Sequence, residues 1–149
     1  MSSQLHLDTA AIESELRKVI EPGSVVEIRA LDVKQSYGAP CTMSGYFTGD
    51  NIGGAARAIV ADIGDRAKGI YFTLNPVVPD LLARRANRIA RCGKGDATTG
   101  NHEIQRRRWL PLDFDPVRPS GISATEEEHK KALELAEHPD KKFLRTQVA

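Results

Sequence analysis

One stretch of this sequence combines a strand-forming pattern with a dense run of charge. It covers Arg106–Pro116 and reads RRRWLPLDFDP. Successive side chains of a strand alternate between its two faces, so the two leucines and the phenylalanine share one face, and Asp113 and Asp115 share the other. The Cα atoms of the two aspartates are then roughly 6.5–7 Å apart, twice the rise per residue. We therefore predict a strand over residues 109–115 that ends on a pair of carboxylates.

Two carboxylates this close repel each other unless a positive charge lies between them. Mg²⁺ prefers oxygen ligands and is commonly held by one or two carboxylates together with substrate phosphates. A calcium-binding loop does not fit, because Arg118 would occupy the position of its glycine and Ala124 that of its bidentate glutamate. An ordinary polar strand end before Pro116 is the alternative. The apolar strand and the arginine run favour Mg²⁺ or Mn²⁺ bound by Asp113 and Asp115.

Positive charge is concentrated in one part of the chain, although the net charge of all 149 residues is only +1. Eight basic and two acidic residues lie between positions 84 and 108. A predicted helix over residues 80–91 places some of these on one side, where they form either a solvated face or a phosphate-binding surface. The residues that we predict to contact nucleic acid are Arg84, Arg88, Arg91, Arg106, Arg107, Arg108 and Arg118.

The rest of the pattern predicts an α+β or α/β domain around one sheet. Helices are predicted over residues 8–20, with Asp8 as the N-cap, over 52–63, and over 126–137 behind a capping box. Strands are predicted over residues 25–31, 42–47 and 69–75. The last of these is almost wholly apolar, which is typical of a strand covered on both faces. The loop 93–100 lacks the ending of a Walker motif and is predicted to be a surface loop.

Cysteine and hydropathy patterns bear on the compartment. Cys41 and Cys92 match neither a zinc motif nor a disulfide framework, which favours a reducing compartment. The four histidines have no partners at metal-ligand spacing, so we interpret them as surface residues. No signal peptide and no apolar run of membrane-spanning length is recognisable. We therefore expect a soluble cytoplasmic protein without a membrane partner.

Two blocks of the sequence resemble a known family. They are Gly69–Pro76, GIYFTLNP, and Arg107–Thr125, RRWLPLDFDPVRPSGISAT. Both are similar to the N-terminal primase–polymerase region of phage and plasmid primase–helicase proteins, within the archaeo-eukaryotic primase superfamily. The similarity extends from about Val25 to Ala136. It implies an RRM-like, primase-type mixed sheet flanked by helices, and divalent-metal ligation by Asp113 and Asp115 for nucleotidyl transfer.

The resemblance also implies partners: single-stranded DNA or a primer–template, nucleoside triphosphates, and a replicative helicase domain or protein. Two later motifs of the family are missing here, a small residue followed by X-His and a further acidic metal ligand. Pro111 is also unexpected in a central strand, because it removes a ladder hydrogen bond. We therefore expect an N-terminal helix (1–24) followed by a partial primase–polymerase-like domain (25–149), an incomplete catalytic domain.

Three functions remain open at this point. The first is a fragment of a DNA primase or polymerase, a nucleotidyltransferase that uses two metal ions. The second is a non-catalytic remnant of the same fold that binds nucleic acid or a protein partner. The third is a metal-dependent nuclease, since phosphodiester cleavage can use the same pair of carboxylates.

Overall fold

The computed structural model describes residues 7–111, 115–116 and 121–137. Residues up to Trp109 form one compact unit, and the residues from Leu110 onward form a second. The architecture is α+β, as the sequence predicts. No helix in the described ranges is both long enough and apolar enough to cross a membrane.

The first helix, α1, covers Thr9–Val19. Asp8 is its N-cap, as predicted, and Asp8 Oδ1 accepts a hydrogen bond from the backbone N–H of Ala10 at 2.8 Å. The apolar stripe of the helix turns inward, and Leu16 is buried together with Ile20, which follows the helix. The prediction of this helix is therefore confirmed.

A four-stranded sheet forms the centre of the first unit. Its strands are β1 (Val25–Val33), β2 (Cys41–Thr48), β3 (Gly69–Phe72) and β4 (Ala90–Arg91), in the order β3-β1-β2-β4. The predicted strands 25–31 and 42–47 are confirmed as an antiparallel hairpin. The prediction of a mixed sheet is wrong for these strands, because all three pairings are antiparallel. β3 runs in the direction of β2 but lies beside β1, so its only strand neighbour has the opposite direction.

Helices cover one face of this sheet. The second helix, α2, covers Ile52–Ala58 and continues as a π-helical turn over Ile59–Ile63, which together confirm the predicted helix 52–63. Its buried residues pack with those of α1 and with alternate residues of β1: Val26, Ile28 and Ala30. Burial of this apolar surface is the main stabilising contribution to the unit. The intervening residues of β1 face the other side of the sheet.

β3 is an edge strand. The prediction that the 69–75 segment is covered on both faces is wrong, because Tyr71 and Phe72 are 57% and 38% exposed. β3 pairs with β1 alone, and the helices cover only the face that carries Val26 and Ile28. The apolar composition of this segment therefore reflects partial burial at an edge.

The prediction of a helix over residues 80–91 is wrong beyond Arg84. A 3-10 helix covers Pro79–Arg84, and the chain then runs beside β2. There Tyr46 N–H donates to the carbonyl of Arg85 at 3.1 Å, and Asn87 N–H donates to the carbonyl of Tyr46 at 2.7 Å. Asn87 has a left-handed backbone (φ 53°), which is incompatible with a continuing helix.

Gly45 makes this close approach possible. A Cβ atom at Gly45 would lie 2.0 Å from the carbonyl oxygen of Arg88, so any other residue would push the segment away from the sheet. Pairing with β2 thus prevents the helix that the arginine spacing indicates. The helical side that was predicted to carry Arg84, Arg88 and Arg91 does not exist.

The predicted strand 109–115 is wrong for the residues that the structure describes. Trp109–Pro111 and Asp115 are not in a strand, and Asp113 lies outside the described residues. Pro111 has no N–H to donate to a ladder, and the N–H of Trp109 donates to the side chain of Asn75. Two of the donors that a strand would need are therefore absent or already engaged.

In the second unit, α3 covers Glu126–Glu137 and confirms the predicted C-terminal helix. Its capping box is formed by Thr125 and Glu128: the N–H of Thr125 donates to Glu128 Oε2 at 2.9 Å, and the N–H of Glu128 donates to Thr125 Oγ1 at 3.3 Å. Leu133 and Leu135 remain 52% and 46% exposed. The helix is thus capped as predicted, but its apolar residues are not buried.

Candidate functional site

The predicted metal ligands are only partly visible. Asp115 is exposed, and Asp113 lies outside the described residues, so their relative orientation stays a prediction. Within residues 7–111, 115–116 and 121–137, no group of three or more His, Cys, Asp or Glu side chains is arranged to hold a metal ion.

The segment that precedes the aspartates is fixed to the first unit by Asn75. The backbone N–H groups of Arg108 and Trp109 both donate to Asn75 Oδ1, at 2.8 and 2.7 Å. In return, Asn75 Nδ2 donates to the carbonyl oxygen of Trp109 at 2.9 Å. The asparagine thus uses both halves of its amide to hold an extended backbone. It joins the two sequence blocks that carry the family resemblance, since Asn75 belongs to the first and Trp109 to the second.

A second anchor lies at the C-terminal end of α1. Trp109 Nε1 and Arg108 Nη1 both donate to the carbonyl oxygen of Val19, at 3.0 and 2.7 Å. The helix leaves such carbonyls without an intrahelical donor, so these bonds also satisfy the helix end. The Arg108 guanidinium lies 5.0 Å from the centre of the Trp109 ring, within the range of a cation–π contact. The approach to Asp113 is therefore held by side-chain as well as backbone contacts.

The arginine run is mostly engaged within the protein. Arg106 forms an ion pair with Glu21, and Arg108 Nε lies 3.6 Å from Glu21 Oε1. Arg107 is exposed and makes no hydrogen bond or ion pair with the described residues. Of the three, only Arg107 is available to an external phosphate without breaking an existing pair.

The other predicted nucleic-acid contacts are dispersed. Arg84 pairs with Glu103, with Nη2 2.5 Å from Oε1, and its Nη1 is 3.5 Å from the hydroxyl of Tyr46. The carboxylate of Glu103 raises the pKa of Arg84 above its ordinary value, chiefly through this hydrogen bond. Arg88 and Arg91 are exposed, with Arg91 on β4, and Arg118 lies outside the described residues.

A buried carboxylate, Glu27, lies on the sheet face that the helices leave uncovered. Only 1% of its side chain is exposed. Arg29 Nη2 donates to it at 2.6 Å, Ser44 Oγ at 2.5 Å, and the backbone N–H of Thr99 at 3.0 Å. All buried side-chain nitrogen and oxygen atoms of the described chain have hydrogen-bond partners. Glu27 thus joins β1, β2 and the loop 93–100 through satisfied polar contacts.

These contacts decide the ionisation of Glu27. Burial raises the pKa of the carboxyl, but the hydrogen bonds from Arg29, Ser44 and Thr99 together outweigh burial and hold the pKa below its ordinary value. Glu27 is therefore a carboxylate at neutral pH. The same bonds fix the Arg29 guanidinium, which also donates to the carbonyl oxygen of Thr99 at 3.2 Å.

Two clefts meet on this uncovered face. One has a volume of about 350 Å³ and lies between the loop 93–100 and β3, with Arg29, Tyr71 and Thr99 in its wall. The other, of about 500 Å³, extends over β4 toward Arg91 and Lys94. Arg29 and Leu31 line both clefts. We call this combined surface the open sheet face.

Charge on the open sheet face is predominantly positive. Glu27 is neutralised by Arg29, and the half-exposed Asp96 pairs with the buried Arg85 while also accepting from the N–H of Gly93. That backbone bond and Arg85 hold the pKa of Asp96 below its ordinary value. The Lys94 side chain is exposed and makes no hydrogen bond or ion pair within the described part of the chain. Arg91 is exposed too, but it is paired with Met43, which packs against the core under the helices, so its side chain leaves the sheet on the opposite face.

Sequence reasoning missed Glu27, Arg29 and Tyr71 as members of one surface. A signal for the first two was present, since Glu27 and Arg29 alternate with Val26 and Ile28 in the first strand. No local pattern reveals that Ser44 and Thr99 complete the network, because these residues are 17 and 72 positions away from Glu27.

Comparison of the chain with protein-family models, with characterised proteins and with solved structures gave no match.

Proposed function

We propose that this chain is part of a primase–polymerase-like nucleotidyltransferase, with an incomplete primase-type catalytic domain. Its Asp113–Asp115 pair would bind Mg²⁺ or Mn²⁺, and its substrates would be nucleoside triphosphates and single-stranded DNA or a primer–template. The relation of the antiparallel sheet to the RRM-like sheets of that superfamily is part of the proposal.

The Asn75 side chain makes three hydrogen bonds to the backbone of Arg108 and Trp109, which we call the Asn75 clamp. This clamp is the observation that supports the proposal most strongly. The resemblance rests on two blocks more than thirty residues apart, and the clamp gives a physical reason why both would be needed together. An asparagine at the end of the first block holds the backbone of the second block shortly before the Asp-X-Asp pair. An active site requires its ligands on supported backbone, because small displacements of a catalytic group are costly.

The metal would supply two effects when bound: activation of the attacking 3′ hydroxyl and neutralisation of charge on the leaving pyrophosphate. Arg107 is placed close in sequence to the aspartates and remains unpaired among the described residues, so it is suited to hold a phosphate. Arg106 and Arg108 instead support the segment through Glu21.

Extension of a labelled primer–template in the presence of Mn²⁺ tests the activity. We expect weak templated incorporation, because two motifs of the family are missing, and we expect its loss in the D113N/D115N variant. The matched control is D65N/E134Q, which removes two exposed acidic charges elsewhere. Degradation of the labelled strand would instead assign the nuclease alternative. No incorporation, with Mn²⁺ and DNA binding both retained, would assign the non-catalytic alternative.

A further inference from the structure

Tyr71 presents an aromatic surface on the open sheet face. A Cβ atom at Gly69 would lie 2.7 Å from the Tyr71 hydroxyl oxygen and 2.8–2.9 Å from its ring carbons, so the ring lies back along β3 over Gly69. A side chain at position 69 would displace it. The ring nevertheless remains 57% exposed. The Tyr71 ring thus lies against Gly69, which has no side chain, and the rest of the ring is open to solvent. A base could stack on this open surface.

Arg29 is the neighbour of Tyr71 on the adjacent strand β1. Arg29 and Tyr71 are paired residues of β1 and β3, so their side chains emerge on the same face. Glu27 and the carbonyl oxygen of Thr99 hold the guanidinium, and 29% of the side chain stays exposed. A planar guanidinium held beside a planar ring provides two surfaces on which nucleobases stack.

The charges around Arg29 and Tyr71 indicate the chemical class of the ligand. Both carboxylates near the clefts are neutralised by arginines, whereas Lys94 at the far end is unpaired within the described residues. A ligand that combines flat apolar rings with regularly spaced negative charge complements this arrangement. A single nucleic-acid strand has both properties, whereas the paired bases of a duplex are not free to stack on a side chain.

We propose that the open sheet face binds single-stranded nucleic acid. One base stacks on Tyr71 beside Arg29, and the backbone continues over the second cleft to Lys94. The role of that strand as template or primer rests on the proposed function. Its binding does not, because no step of it involves Asp113, Asp115 or a metal.

Fluorescence anisotropy with a labelled oligothymidylate, in the presence of a chelator, tests this site separately from the metal site. Replacing Tyr71 by Leu keeps an apolar side chain but removes the ring, and we expect binding about tenfold weaker, as for the loss of one stacked base. Tyr71→Trp should bind at least as well as the unmodified protein. Tyr37→Leu is the matched control, since Tyr37 is 94% exposed in the β1–β2 connection.

The contribution of Lys94 is tested through salt dependence. K94Q should reduce the slope of log affinity against log salt by about 0.7, the share of one phosphate contact to a single strand. The control K130Q removes an exposed cation from α3 and should leave the slope unchanged. Equal effects of the two variants would overturn the proposal, and so would an absence of binding by the unmodified protein.

Photocrosslinking of the unmodified protein removes any dependence on the folding of a variant. An oligonucleotide that contains 5-iodouracil should crosslink to the peptide that includes Tyr71. A crosslink confined to other peptides would contradict the stacking site. Loss of Mn²⁺ binding in D113N/D115N with unchanged oligonucleotide affinity would leave this site standing. Mn²⁺ binding that depends on Asp113 and Asp115, together with oligonucleotide binding that Tyr71→Leu leaves unchanged, would remove this site and leave the proposed function intact.

Discussion

Glu21 and Glu27 both hold arginines, but in different environments. Glu21 lies on the surface with 31% of its side chain exposed, and it pairs with Arg106 and Arg108 of the basic run. Glu27 is buried beneath the open sheet face and pairs with Arg29, which stands in an apolar strand pattern. The densest basic run in the sequence therefore has little charge to offer. Whether an arginine is free to bind a phosphate therefore depends on acidic residues that are distant from it in the sequence.

The comparison predicts its largest effect for loss of Glu27. Glu27→Ala leaves Arg29, Ser44 and the N–H of Thr99 without their shared acceptor, and removal of one partner from a buried pair is strongly destabilising. We expect the free energy of unfolding to fall by about 3 kcal/mol. Urea unfolding measures it. Glu21→Ala is the control and should cost about 1 kcal/mol or less, since its pairs are exposed; equal costs would break the comparison.

Acid should act on the same network. The pKa of Glu27 is lowered on folding from its ordinary value of 4.5. Its contribution to stability is therefore fully present above about pH 4.5 and is lost as the pH falls through the lower folded pKa. We expect Glu27→Gln to lose less stability than the unmodified protein between about pH 6 and pH 3. Parallel pH profiles of the two proteins would contradict a depressed pKa.

The Asn75 clamp should have an intermediate effect. Asn75→Ala removes three hydrogen bonds to a half-exposed backbone, and we expect a loss of about 1–2 kcal/mol. Asn75→Asp keeps the acceptor for the two N–H groups but places a carboxylate oxygen against the carbonyl oxygen of Trp109, so amide protection should persist at Arg108 and Trp109 even though the third bond is lost. Amide hydrogen exchange at Arg108 and Trp109 reports directly on the clamp. Unchanged exchange in Asn75→Ala would show that the segment is held by other contacts.

The smallest effect is expected from the basic run itself. Arg106, Arg107 and Arg108 replaced together by Ala should flatten the salt dependence of single-stranded DNA binding by about 0.7, the share of a single phosphate contact. Arg107→Ala alone should reproduce that change, because the other two arginines are paired with Glu21. A decrease of about 2 in the triple variant would mean that those pairs open to bind DNA.

The elements with strong local signals were predictable from the sequence. α1, α2 and α3 follow apolar stripes, α1 and α3 also have recognisable N-terminal caps, and the β1–β2 hairpin follows alternation. The segment 80–91 has helical spacing, but the sheet contact at Gly45 and the left-handed turn at Asn87 override it. The contact at Gly45 is a tertiary one, so the local sequence pattern does not reveal it.

The candidate sites divide in the same way. The Asp113–Asp115 pair could be proposed from the sequence because candidate ligands on one segment form a short motif. The open sheet face was not found, because Arg29 and Tyr71 come together only through strand pairing, and Lys94 reaches this face only through the fold of the loop 93–100. Likewise, the pairing of Arg84 with Glu103 and of Arg106 with Glu21 required the fold.

Calorimetric titration with Mn²⁺ tests the proposed metal site most directly. We predict weak binding by the unmodified protein, since a carboxylate pair leaves further coordination positions to water. D113N/D115N should abolish that binding while its thermal melt stays unchanged or rises slightly, because a repulsive pair is relieved. The control D65N/E134Q should bind as the unmodified protein does. Equal Mn²⁺ affinity in the D113N/D115N variant would contradict the account.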